Sequence, residues 1–115
     1  MLNPTTNLFT QNWVMDAADE ARGFQSNWHL FTPSKTVRLL HVGLANLPRV
    51  AHVRLFLTTY NGEYFNLVDD DFAENHSACW NGSMILRGCT SVGAWQEGFL
   101  ENDIVYLRII WEEIE

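Results

Sequence analysis

From residue 28 onward apolar and polar positions alternate with a period of two, and that period belongs to strands rather than helices. Residues 53–68, VRLFLTTYNGEYFNLV, state it most clearly. Asn61-Gly62 is the strongest short-range signal for a two-residue type I′ turn, because both turn positions need positive φ. That turn predicts a hairpin pairing Tyr60 with Glu63, Thr58 with Phe65, Leu57 with Asn66, Phe56 with Leu67 and Leu55 with Val68. Leu55, Leu57 and Val68 then share one face, and Phe56, Phe65 and Leu67 share the other. A lone soluble sheet needs one buried face. The second apolar face therefore calls for a cover, from this chain or from another molecule.

The final strand, 103–112, alternates as well. Val105, Leu107, Ile109 and Trp111 form an apolar side; Ile104, Tyr106, Arg108 and Ile110 form a mixed one, like His52, Arg54, Phe56 and Thr58 earlier in the chain. Further strands are expected at 28–31, 36–44, 50–60, 63–68 and 90–96. A second Asn-Gly pair, Asn81-Gly82, predicts a hairpin of 77–80 with 83–87. Asp69, Asp70 and Asp71 with Glu74 and Asn75 predict a solvated loop. Short strands separated by turns at this spacing give an all-β fold, an antiparallel β-sandwich of jelly-roll type with about seven or eight strands. Residues 28–115 form that domain. Residues 1–27 lack a sustained period and are expected to be an extended N-terminal arm. One short helix is expected over 16–22, with Asp16 as its N-cap and Gly23 closing it.

Seven basic against fourteen acidic residues give a net charge of −7, which argues against nucleic acid as a partner. No apolar run approaches the length of a membrane span. The N-terminus lacks the basic and apolar regions of a signal peptide, so synthesis in the cytoplasm is expected. Cys79 and Cys89 are expected to be free buried thiols, since the second hairpin puts Cys79 opposite Met84 and leaves Cys89 beyond it.

Candidate chemistry is sparse. His41 and His52 lie on consecutive strands and could approach each other, but no H-x-H, H-E-x-x-H or C-x-x-C spacing completes a metal site. The acidic run lacks the ligand spacing of a calcium loop. No nucleophile elbow, phosphate loop or dinucleotide fingerprint is present, so the expectation is a protein without catalytic residues, cofactor or metal. Two surfaces remain. Six of the seven basic residues are Arg, a residue suited to interface contacts. Arg54 and Arg108 alternate with Phe56, Tyr106 and Ile110. With Phe65, Leu67 and the arm residues Leu8, Phe9 and Trp13, they form the expected interface. The alternative is a carbohydrate- or ligand-binding module that uses Trp80, Trp95, Tyr60 and Tyr64 as stacking platforms, with Asn61, Asn81 and Gln96 as polar partners.

In layout (a small, acidic β-sandwich with an irregular leading arm) the chain resembles the decoration or cement proteins of tailed-phage heads. That resemblance implies a non-enzymatic structural protein, a homotrimer or dimer seated on a capsid, and a place in the virion.

Overall fold

The computed structural model describes residues 8–14, 26–59, 61–97, 103 and 105–114. Eight strands run through them: β1 (Leu8–Val14), β2 (Ser26–Phe31), β3 (Val37–Leu44), β4 (Ala51–Thr58), β5 (Tyr64–Phe72), β6 (Ala78–Leu86), β7 (Ser91–Glu97) and β8 (Tyr106–Glu113). They form two antiparallel four-stranded sheets, ordered β1-β8-β3-β6 and β2-β7-β4-β5. Every connection between consecutive strands crosses from one sheet to the other except β4–β5. Two interleaved Greek keys of this kind make a jelly roll.

The core lies between the sheets and follows the alternation. Val53, Leu55 and Leu57 of β4 face Val37, Leu39, Val42 and Leu44 of β3, with Val92 and Ala94 from β7 and Leu107, Ile109 and Trp111 from β8. Gln96 is the one fully buried polar side chain among the described residues. Leu47, in a segment read as a mere turn, is fully buried too. The loops 45–50 and 73–77 bond to each other, Leu47 N–H to His76 O at 2.9 Å and Asn75 N–H to Leu47 O at 2.8 Å, and so close this end of the sandwich over it. The β1/β2 side is closed by aromatics. Trp111 stacks on Phe9 at 5.5 Å and meets Phe31 at 4.6 Å.

Four expectations are corrected. The β4–β5 hairpin forms, but its loop holds three residues, 60–62. Gly62 N–H bonds Thr59 O at 2.8 Å and Thr59 N–H bonds Glu63 O at 3.0 Å, with Gly62 at φ 81°. A three-residue loop ending on a left-handed glycine shifts the register by one. Thr58 pairs with Tyr64, Leu57 with Phe65 and Phe56 with Asn66, and the expected register resumes at Leu55–Val68. Leu67 is therefore the extra residue of a β-bulge, and a bulge turns two consecutive side chains to one face. Leu67 and Val68 both pack on the core, so Leu67 does not share an outer face with Phe56.

The second Asn-Gly pair makes no turn. Residues 78–86 are one continuous strand, with a register shift against β3 between Leu39 and His41. Gly82 lies in that bulge, and a Cβ there would come within 2.7 Å of the Trp80 ring. The acidic run is also strand: Arg54 pairs with Asp69, Val53 with Asp70 and His52 with Asp71, so cross-strand charge pairing replaces the expected loop. Finally, Cys79 and Cys89 are free but exposed rather than buried.

Residues 8–14 of the expected arm form β1, in register with β8 from Leu8–Glu112 to Val14–Tyr106. The helix expected over 16–22 lies outside the described residues.

Leu107 is fully buried at the centre of the core. Leu107→Ala is expected to lower unfolding free energy by about 2–5 kcal/mol, read from denaturant midpoints at unchanged slope.

Candidate functional site

The outer face of the β2-β7-β4-β5 sheet gathers the most chemistry. Two cross-strand rows build it. In one, Trp95 lies next to Arg54, which lies next to Asp69. In the other, Leu30, Gly93, Phe56 and Asn66 follow one another across four strands. Gly93 has no side chain to fill the middle of its row, so the sheet surface dips there. Leu30, Arg54, Phe56, Tyr64, Asn66 and Trp95 line the resulting trough, whose volume is about 440 Å³. Phe56 forms the floor at 4% exposure. Tyr64 packs on it at 5.2 Å yet stays 70% exposed.

A polar network holds the rim. The Arg54 guanidinium lies over the Trp95 ring, 4.8 Å from its centroid, and Arg54 Nε donates to Asp69 Oδ1 at 3.3 Å. Asn66 Nδ2 donates to Asp69 Oδ2 at 3.4 Å. His52 is clasped between two carboxylates, Nδ1 at 2.7 Å from Asp71 Oδ1 and Nε2 at 2.5 Å from Asp69 Oδ1. Both ring nitrogens can donate only in the imidazolium form. The hydrogen bond to Asp71 and then that to Asp69 accordingly raise the His52 pKa. The hydrogen bond from His52, followed by that from Arg54, lowers the Asp69 pKa. The edge of the Trp95 ring meets His52 at 5.8 Å. The Asp69–Asp71 strand thus fixes Arg54 in place above Trp95.

Of the expected interface residues, Arg54 and Phe56 meet in this trough. Phe65 stands apart, 61% exposed at the seam between the two sheets. Tyr106 and Arg108 are exposed and Ile110 half-buried on β8, on the outer face of the other sheet. Phe9 is 39% exposed but stacked on Trp111. The side chains of Leu8 and Trp13 lie outside the described residues. Of the expected platforms, Trp95 and Tyr64 come together. Tyr60 lies outside the described residues. Trp80, expected beside a hairpin tip, sits in mid-strand and packs on the core, because no turn forms at Asn81-Gly82. His41 and His52 point from different sheets and do not approach. His41 Nδ1 lies 2.7 Å from Asn81 Oδ1 instead. Sequence reasoning placed His52 on this face beside Arg54 and Phe56 but missed Asn66, Leu30 and Asp69 as its members. Arg54 and Asp69 could be matched only once the run 69–71 is read as a strand opposite 52–54.

The fold and face therefore define a jelly-roll β-sandwich with an aromatic surface trough. No protein-family model matches the chain, and no curated protein matches it. Among solved structures, it is similar to a chain in the structure of infectious bursal disease virus, Gx strain, at 7% identity and a TM-score of 0.36, covering 90% of this chain and 32% of that one. A chain in the structure of the Gt strain of the same virus gives 8% identity and a TM-score of 0.29, covering 100% and 42%. This chain spans less than half the length of either. Neither likeness bears on function at those values.

The clasp predicts a pH window. The His52 pKa lies above 6.5 in the folded state, so its contribution to stability is full below that value and is lost as pH rises through the folded pKa. The Asp69 pKa lies below 3.8, so its contribution is full above that value and is lost as pH falls through the folded pKa. Denaturation midpoints across pH should therefore decline at both ends. His52→Gln should flatten the alkaline decline, and an unchanged alkaline slope would show that the clasp contributes nothing.

Proposed function

We propose that this protein is a non-enzymatic assembly protein, one that docks to a second copy of itself and, in that form, to a larger protein assembly such as a viral shell. The observation that carries the reading is the seam where the two edge strands β5 and β6 lie side by side. β6 runs for nine residues, ACWNGSMIL, without a charge or a proline. Edge strands that stay monomeric are usually blunted by charges, prolines or bulges; β6 carries only the bulge at Gly82, so the stretches on either side of it are templates for pairing with another chain. β5, by contrast, carries three aspartates in its second half. Beside β6 the apolar surface continues. Phe65 is 61% and Ile85 58% exposed, and together with Leu57, Met84 and Leu86 they line a groove of about 520 Å³.

A second copy suits this groove. Glu63 and Arg87 both line it, and neither forms an ion pair with another described residue. A two-fold axis across the seam would set Glu63 of each copy against Arg87 of the other, as a self-complementary interface requires. Two chains that each carry a net charge of −7 repel at long range, so apolar contact must drive the association. A stable fit of this kind needs about 1,200–2,000 Å² of buried surface, more than the groove alone offers, which implies that strand pairing along β6 joins in. Jelly rolls serve viral shells and lectins alike, and the layout resemblance to phage head decoration proteins favours the shell.

Light scattering coupled to size exclusion tests this. The wild-type chain should elute as a dimer, and Phe65→Glu and Ile85→Lys, both at exposed positions, should each give a folded monomer. A monomeric wild type, or a dimer indifferent to both substitutions, would overturn the reading.

A further inference from the structure

We propose that the trough on the outer face of the β2-β7-β4-β5 sheet is a binding site for a neutral saccharide, one or two hexose units in length. It does not rest on the docking reading, whose Phe65 and Ile85 lie outside the trough; Tyr64 lines both, so Arg54→Lys and Trp95→Ala are the variants that separate the two.

The trough offers two kinds of surface, and a sugar ring has the same two. Phe56, Leu30, Tyr64 and Trp95 supply apolar and aromatic walls. The ring face of Tyr64, 70% exposed, suits the weakly positive C–H face of a pyranose, while Trp95 carries the Arg54 guanidinium on its ring and Phe56 lies beneath as the floor. Between those walls stand one donor group and one acceptor. The hydrogen bond of Arg54 to Asp69 runs through Nε, which leaves the terminal guanidinium nitrogens for a ligand. Stacking on Trp95 holds that guanidinium still, so little side-chain freedom is lost when it binds. Asn66 is oriented by its Nδ2 contact with Asp69, which leaves Oδ1 as an acceptor. A hydroxyl both donates and accepts, so a pair of fixed groups of opposite kind suits a diol rim.

The same groups discriminate against other ligands. The charged group of an anionic ligand brings acceptors only. It would find one guanidinium already paired with Asp69, a second carboxylate at Asp71 and the Asn66 carbonyl. A purely apolar ligand would cover Arg54 and Asn66 without satisfying them, and a buried polar group without a partner is costly. The volume of about 440 Å³ lies within the range of small-ligand sites and limits the occupant to a short saccharide. The trough is open along the sheet, so the bound unit could belong to a longer glycan.

An array of neutral and acidic oligosaccharides, followed by titration of the best-bound neutral trisaccharide against tryptophan fluorescence, tests the proposal. Binding to neutral glycans is expected, weakened about tenfold or more by Trp95→Ala and by Arg54→Lys, which keeps the charge but not the planar fork. Tyr64→Ala, at an exposed side chain, should weaken it as well and keeps the test decisive if Trp95→Ala fails to fold. Tyr106→Ala, on the opposite sheet, should leave binding unchanged. Absence of binding to every neutral glycan, binding to acidic glycans alone, or neutral binding that survives both Tyr64→Ala and Arg54→Lys would each overturn it.

Discussion

One extra residue in β5 decides which side chains this molecule hides and which it shows. The loop after Thr59 holds three residues, so the strands leave the turn one position away from a simple two-residue hairpin. The bulge at Leu67 then restores the original pairing at Leu55–Val68. Without the bulge, the pairing beyond it would move by one position, and Asp69 and Asp71 would turn toward the core while Asp70 and Val68 turned outward. With it, Leu67 and Val68 both reach the core, and the aspartates meet Arg54 and His52. The apolar packing of Leu67 and the ionic rim of the trough are therefore two consequences of one local irregularity.

Two surfaces follow from that arrangement, and they differ in kind. The trough is a dip in a sheet face, made by the missing side chain at Gly93 and walled by rings that the polar rim holds in place. The seam is an edge, where β6 offers unpaired backbone and Phe65 and Ile85 offer grease. The three aspartates of β5 shield the other half of its edge and leave the turn-proximal half open. Such a division, part blunted and part open, limits pairing to one stretch rather than allowing open-ended sheet growth.

The sequence carried the sandwich itself well, because in β4 and β8 every second residue is apolar and those positions make the core face. Val105, Leu107, Ile109 and Trp111 are all buried where the alternation puts them. What it could not carry was the competition between local and tertiary preference. Asn81-Gly82 has the composition of a turn, yet β3 pairs along the whole of β6 and absorbs the glycine as a bulge beneath Trp80. Asp69-Asp70-Asp71 has the composition of a loop, yet Arg54 and His52 on the neighbouring strand make it a strand. Of the ligand-platform residues, Trp95 and Tyr64 were legible as aromatics, but their convergence required the sheet order. Leu47 shows the converse: a turn residue became core because two loops bond to each other across it.

The register of β4 against β5 underlies both surfaces, and cross-strand nuclear Overhauser contacts between backbone protons report it directly. The structure predicts contacts pairing Thr58 with Tyr64 and Phe56 with Asn66, then Leu55 with Val68, with Leu67 left without an opposite number. Contacts pairing Phe56 with Leu67 and Thr58 with Phe65 would contradict it, returning Leu67 to the outer face and dissolving the trough.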